Sequence, residues 1–411
     1  MALNKKIAIV IPFLSKGGAE NVAAKLSKGL SQYYDIYLIV FNAQEISYDY
    51  KGVLIDLSID LSNRKIFYRL RNVTKLIIKL YRTKRLYKID IAISLGELAN
   101  IPNILSTGKT IISIRESRFN AHNDLQRRFV NFLIKFLYNS SCVCKIITVS
   151  EIIKNQVSRK INKNKLKVIY NPFDFNYIKT LSKEKIEKFN KIFKKGTILI
   201  NIGRLSLQKG QWYLLRIFAE LKTRNKILKL IILGDGELRN KLIDLSNQLG
   251  LRTFSIWNSQ YKSVDDFDVY FLGFQKNPYN FLIHANLFIL TSLWEGFPNV
   301  LLEAMGLGIP VISADCLSGP REILAPNTNI NYQTDKIEYA RFGVLAPCLN
   351  KKFLTTEPLT LNETKYVEAI ESILKNNKLY KKYKQASIER SKDFAIENII
   401  QQWIKVIDSC N

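Results

Sequence analysis

Leu287-Phe288-Ile289-Leu290-Thr291-Ser292-Leu293-Trp294-Glu295-Gly296-Phe297-Pro298-Asn299-Val300-Leu301-Leu302-Glu303-Ala304-Met305 contains one complete supersecondary unit. The apolar run 287–293 reads as a buried strand. Gly296-Phe297-Pro298 is a turn. Pro298 suits the first position of a helix, where its missing N–H costs nothing. Glu303 then falls on the second turn of that helix, and Glu295 stands before the turn. Two carboxylates therefore flank a helix start whose unpaired N–H groups can hold an anion.

The same unit recurs along the chain. Strand-like runs are expected at 7–13, 36–41, 89–94, 110–114, 145–149 and 167–169. A second series follows at 197–203, 229–234, 269–273, 287–291, 310–313 and 343–345. Helical patterns lie between most of them. Strand–helix alternation implies parallel sheets covered on both faces. The expected fold class is α/β, with two Rossmann-like domains. The first spans 1–175. A polar, lysine-rich linker at 176–195 leads to the second, at 196–385. Residues 386–411 form a helix expected to return to the first domain. Ligands in such sheets bind beyond the carboxyl ends of the strands. This rule places the expected site in a cleft between the domains.

The 411 residues, 47% hydrophobic and 24% charged, are enough for large cores. No apolar run reaches the roughly 18 residues of a membrane span. The apolar run at 7–13 leads straight into a glycine turn and is read as a first strand, not a signal peptide. Five cysteines are spread without zinc-type spacing, which fits free thiols in a reducing cytoplasm. Two distant histidines, His122 and His284, argue against a histidine-built metal site.

The net charge of +27 is uneven: residues 1–175 hold 29 Lys and Arg against 12 Asp and Glu. Arg64–Lys88 carries ten basic residues and no acid, with apolar residues at helical spacing. Arg127–Phe136 is similar in character. Such basic amphipathic helices read as contacts for an anionic membrane surface. An ordinary core-facing helix with a solvated basic face would carry the same pattern. No nucleic-acid-binding motif accompanies the charge, and no nucleic-acid partner is expected.

Carboxylates on either side of an anion-binding helix start suit a ligand with hydroxyls at both ends and phosphate between, such as a nucleotide sugar. Two glutamates eight apart are also common as plain surface charges, so the surrounding motifs decide. Gly17-Gly18-Ala19-Glu20 follows the first strand, where paired glycines let backbone approach a phosphate or sugar. It is not the three-glycine dinucleotide fingerprint. Gly203-Arg204-Leu205-Ser206-Leu207-Gln208-Lys209-Gly210 places two cations at the end of the second domain's first strand, where they can hold a diphosphate. Gly234-Asp235-Gly236-Glu237 reads as a turn and helix start that shapes the pocket.

Together these motifs resemble the retaining GT-B glycosyltransferases of family 4. The likeness is specific over residues 197–345. It continues through Leu272-Gly273-Phe274, Asn277-Pro278, Pro310-Val311-Ile312 and Ser318-Gly319-Pro320-Arg321-Glu322-Ile323. The resemblance implies a GT-B fold and roles for individual residues. Arg204 and Lys209 would neutralise the leaving diphosphate, and Glu295 would hold hydroxyls of the donor sugar. Glu303 would bind the ribose. Backbone N–H groups of Phe297, Asn299 and Val300 would reach sugar and phosphate. Gly273 and Phe274 would lie near the base, and Gly18 at the phosphate from across the cleft.

The family often carries a first-domain histidine near the acceptor. Here the comparable strand end is Ile112-Ser113-Ile114-Arg115-Glu116-Ser117, so Arg115 or Glu116 is either the acceptor-side group or structural. Asp265-Asp266-Phe267-Asp268 contains the DxD of another glycosyltransferase fold, but in a polar stretch. No metal and no cofactor beyond the UDP-sugar substrate are expected. The resemblance implies transfer of a hexose or N-acetylhexosamine to a lipid-linked or cell-surface glycan. It matches bacterial capsule, O-antigen and lipid-linked oligosaccharide enzymes, peripheral on the inner face of the cytoplasmic membrane. A nucleotide-sugar epimerase of similar fold, or a non-catalytic basic membrane-binding protein, are the alternatives.

Overall fold

In the first sheet, alternate residues of Lys6–Ile11 (β1) face opposite cores, as a strand's two-residue period requires. Ile7, Ile9 and Ile11 join one apolar cluster, and Ala8 and Val10 join the other. The sheet is thus covered on both sides, which explains why Ile7–Ile11 is apolar without alternation. The computed structural model describes residues 5–15, 17–43, 45–61, 66–115, 134–258 and 267–410. It divides into two compact units: 1–173 with 394–411, and Asp174–Asp393.

The first unit is a seven-stranded parallel sheet in the order β3-β2-β1-β4-β5-β6-β7. Its strands after β1 are β2 (Asp35–Val40), β3 (Val53–Asp56), β4 (Ile91–Leu95), β5 (Thr110–Ile114), β6 (Val143–Thr148) and β7 (Leu166–Val168). Helices α1 (Gly18–Leu30), α2 (Ile66–Leu86), α3 (Glu97–Leu105) and α4 (Glu151–Ser158) connect them. The second unit is an eight-stranded sheet in the order β10-β11-β9-β8-β12-β13-β15-β14. Its strands are β8 (Thr197–Ile202), β9 (Leu228–Leu233), β10 (Thr253–Ser255), β11 (Val269–Phe271), β12 (Leu287–Leu290), β13 (Val311–Ala314), β14 (Glu338–Tyr339) and β15 (Val344–Ala346). All pairings are parallel except β14 with β15.

Residues 176–195, read above as a linker, include most of helix α5 (Phe175–Ser182) and belong to the second unit. The second unit also holds α6 (Gln211–Arg224), α7 (Arg239–Gln248), α8 (Tyr279–Leu282), α9 (Asn299–Gly306), α10 (Pro320–Leu324), α11 (Leu361–Lys375) and α12 (Asn377–Ser391). The chain re-enters the first unit at Phe394. There helix α13 (Ile396–Asp408) buries Ile399, Ile400, Trp403, Val406 and Ile407 on one face. This is the apolar stripe that a 3.6-residue period produces. A Cβ on Gly29 of α1 would lie 2.4 Å from Ile400, so glycine permits the close approach of the two helices. Phe173 and Phe394–Ile396 exchange backbone hydrogen bonds of 3.0 and 2.8 Å, and Lys5 pairs with Asp408 at 3.2 Å.

Three strands were absent from the sequence reading: β3, β10 and β14. Each is short, and β3, β10 and β14 form three of the four sheet edges or lie at them. Among the described residues no helix is long and apolar enough to cross a membrane.

Candidate active site

In the second sheet the strand order reverses between β8 and β12, which are neighbours although three strands separate them in sequence. Such a switch point opens a crevice at the strands' carboxyl ends, because the loops on either side leave in opposite directions. The loop after β8 carries Arg204 and Lys209. The loop after β12 carries Glu295. Lys209 Nζ donates to Glu295 Oε1 at 2.6 Å, with side-chain exposures of 17% and 6%.

Hydrogen bonds to backbone carbonyls lock the two loops together. Leu293 N donates to the Gln208 carbonyl at 2.8 Å, and Gln208 Nε2 to the Trp294 carbonyl at 2.9 Å. Thr291 Oγ1 donates to the Lys209 carbonyl at 3.1 Å. Gly210 has φ +61, and a Cβ there would lie 2.5 Å from the Thr291 carbonyl. Lys209 and Glu295 therefore meet because their backbones are fixed, not because two flexible side chains found each other.

Arg204 is not drawn into this pair. Its side chain is 73% exposed and bonds Glu237, Nε to Oε2 at 3.1 Å. Glu237 precedes α7, which starts at Arg239, so the helix begins later than the turn chemistry predicts. Gly234 has φ +140, and a Cβ there would fall 2.0 Å from the Gly203 carbonyl. Its N–H donates to the Gly273 carbonyl at 2.8 Å. Gly234 thereby joins the loops after β8, β9 and β11. Gly273, φ +69, packs against Ile256 and Trp257, while Phe274 is exposed.

Glu303 is buried on α9 and accepts from Tyr279 Oη at 3.4 Å. Pro298 is the residue just before α9 and provides no side-chain cap; Asn299 and Val300 form the first turn and Phe297 is buried. The next loop presses on this start. Ser318 Oγ donates to the Gly296 carbonyl at 2.6 Å. Gly319, φ +96, leaves room for Pro298, whose Cδ would stand 2.4 Å from a Cβ. Buried Arg321 fixes that loop through Asp315 at 3.2 Å and Glu338 at 2.7 Å. Sequence reasoning missed Tyr279 and the support from Ser318 and Gly319. The signal lay in Ser318-Gly319-Pro320, where glycine precedes a helix-starting proline.

In the first unit, a cavity of about 190 Å³ opens at the carboxyl ends of β1, β4 and β5. It too lies where the strand order reverses. Its walls include Glu20, Gly96, Glu97 and Arg115. Arg115 Nη2 donates to Asn171 Oδ1 at 2.6 Å. Gly18 is the first residue of α1, and the Glu20 carboxylate folds back so far that a Cβ on Gly17 would meet it at 2.1 Å. A carboxylate is favoured there by the helix dipole. Glu116 lies outside the described residues. Glu97 was missed, although Leu95-Gly96-Glu97 repeats the strand–glycine–acid pattern of the first turn.

Asp265 and Asp266 lie outside the described residues. Asp268 sits at the amino end of β11, away from the carboxyl-end loops, and is held by Lys222 at 2.8 Å and Arg252 at 3.0 Å. Burial opposes its ionisation, yet these cations hold the carboxyl below its usual range.

The model of the family "Glycosyl transferases group 1" matches residues 182–340. A glycosyltransferase of Methanocaldococcus jannaschii is 36% identical over 80% of this chain and 82% of its own length. The N-acetylgalactosamine-N,N'-diacetylbacillosaminyl-diphospho-undecaprenol 4-alpha-N-acetylgalactosaminyltransferase of Campylobacter jejuni is 26% identical over 98% of this chain and 99% of its own. Among solved structures, Anabaena HepE in complex with UDP and glucose superposes with a TM-score of 0.72 at 18% identity, covering 98% of this chain and 100% of its own. The fold is therefore GT-B, and the chain is a glycosyltransferase belonging to the group 1 glycosyl transferases.

Proposed function

We propose that the enzyme transfers a hexose or N-acetylhexosamine from a UDP-sugar to a lipid-linked or cell-surface glycan, with retention of configuration. The observation that carries this reading is the buried Lys209–Glu295 pair at the switch point of the second sheet, beside the start of α9. Glu295 holds hydroxyls of the donor sugar, and Glu303 holds the ribose. Lys209 and Arg204 offset the charge that grows on the leaving diphosphate, so no metal is required for that step. Backbone N–H groups of Phe297, Asn299 and Val300 add the field of the helix start. Gly273 and Phe274 flank the base. Front-face attack lets a donor phosphate oxygen accept the acceptor's proton, and Arg115 or Glu116 orients the acceptor. The UDP and glucose of the Anabaena complex and the diphospho-undecaprenol in the Campylobacter relative's name support these substrate classes.

Helix α2 supports a peripheral place on the inner face of the cytoplasmic membrane. Tyr68, Leu70, Ile78, Tyr81 and Leu86 are exposed among Arg71, Lys75, Lys79, Arg82 and Arg85. Apolar and basic side chains on one outward face suit an anionic interface. Of the second basic stretch only Ile134, Lys135 and Phe136 lie in the described residues. The deciding experiment is mass analysis of products from a panel of UDP-sugars and prenyl-diphosphate acceptors, with Glu295→Ala alongside. The reading expects UDP release with sugar joined to the acceptor, and loss of both in the folded variant. Interconversion of free UDP-sugars without an acceptor would point to an epimerase.

A further inference from the structure

Lys84 of α2 is only 7% exposed, unusual for a lysine. Its Nζ donates to the Asn103 carbonyl at 2.9 Å and the Thr107 carbonyl at 2.8 Å. An ammonium carries three donors. Two carbonyls at the end of α3 therefore leave one donor, and Lys84 lines a cavity of about 220 Å³. Arg85 and Lys109 line the same cavity, together with Ser106, Thr107 and Gly108. Among the described residues no carboxylate lines it. The Arg85 guanidinium lies over the Tyr81 ring at 5.6 Å, which orients it. Thr107 and Gly108 have φ +58 and +85, so the turn between α3 and β5 is left-handed at both residues. A β-branched residue rarely adopts such a backbone, and the Lys84 bond to its carbonyl helps hold it there.

The cavity stands at the amino ends of β4 and β5, the opposite edge of the sheet from the pocket of Glu20, Glu97 and Arg115. It is therefore separate from the two pockets at the strands' carboxyl ends, although Tyr81 and Arg85 also belong to the exposed face of α2. Capping of α3 accounts for two of the three Lys84 donors. It does not account for two further cations around the same hollow. We propose that this cavity is an anion site for a phosphate group, either inorganic phosphate or the phosphate monoester of a lipid headgroup. A buried cation is costly without a counter-charge, and charge-assisted bonds from Lys84, Arg85 and Lys109 would supply strong, converging contacts to phosphate oxygens.

The test is calorimetric titration of inorganic phosphate into the whole protein, saturated with UDP, at constant ionic strength. Lys109→Met removes an exposed cation with little risk to folding, and Lys84→Met removes the buried one. Expected is binding by the wild type that weakens about tenfold or more in each variant, while UDP affinity is unchanged. A second arm adds phosphatidylcholine vesicles with or without about 20 mol% phosphatidic acid. Displacement of phosphate only by the phosphatidate vesicles supports a lipid headgroup as the natural ligand. Phosphate binding that both vesicle types leave untouched supports the free anion. Phosphate binding that is absent in the wild type, or equal in wild type and both variants, overturns the proposal. Loss of UDP binding would concern the donor site alone.

Discussion

Replacing Lys209 by methionine leaves the Glu295 carboxylate almost fully buried, with its 2.6 Å partner gone. Removing one member of a buried pair costs about 3–5 kcal/mol, because the remaining charge stays desolvated. Lys209 is itself 17% exposed, so some water can reach the gap, and the low end of that range, about 3 kcal/mol, applies. In a unit on the order of 200 residues each kcal/mol moves the midpoint by about 2–4 °C. The second unit should therefore melt about 6–12 °C lower. Because the two units need not unfold together, calorimetry that resolves separate transitions is the right assay. Glu295→Gln combined with Lys209→Met removes both charges and should recover most of the loss, a coupling of about 2 kcal/mol or more. Transfer should fall about 100-fold or more in the single Lys209 variant, since the cation proposed to face the leaving group is gone. A midpoint unchanged in Lys209→Met, or strictly additive single and double variants, would refute the buried pair.

Three other outcomes follow from the same physics. Gly234→Ala forces a Cβ into the Gly203 carbonyl at φ +140, and should melt the second unit or abolish its soluble expression while α13 stays docked on the first sheet, as proteolytic mapping would show. Burial lowers the Lys84 ammonium from about 10.5 to about 7, with the Cys142 thiol opposing that shift. Between those values the unfolded chain keeps a proton that the folded chain has released, so wild-type stability relative to Lys84→Met should rise with pH by an order of a few kcal/mol across the window; a flat difference in urea midpoints would contradict it. If Lys209 and Arg204 supply the charge at the leaving group, as proposed, sugar transfer should persist in excess chelator; complete loss restored by added metal would count against that assignment.

Much of the fold was readable because it is written locally. Leu230–Leu233 and Leu287–Leu290 are uninterrupted apolar runs, and α13 carries its apolar stripe at a period of 3.6. The edge strands were not readable. Glu338–Tyr339 is two residues long, and Val53–Asp56 lies on a sheet edge with Val53 exposed, so neither has a strong pattern. The helix after Gly236 was placed too early because Glu237 looks like a first-turn acid, whereas in space it answers Arg204, 33 residues away. The candidate site divides the same way. Glu295 and Glu303 stand out by their flanking turn and helix. Their partners, Lys209 in the loop after β8 and Tyr279 at the start of α8, lie far away in sequence, and only sheet order brings them close. Lys84 was hidden for a simpler reason: nothing in a single sequence distinguishes a buried charge from a surface one.

The central claim is that the second unit holds the nucleotide of the sugar donor through Glu303. Calorimetric titration of UDP into the wild type and Glu303→Gln tests it most directly. A carboxylate that accepts from two ribose hydroxyls should be worth about 3 kcal/mol, so the account predicts UDP binding about 100-fold weaker in the variant with the fold intact. UDP binding of equal strength in both proteins would contradict it.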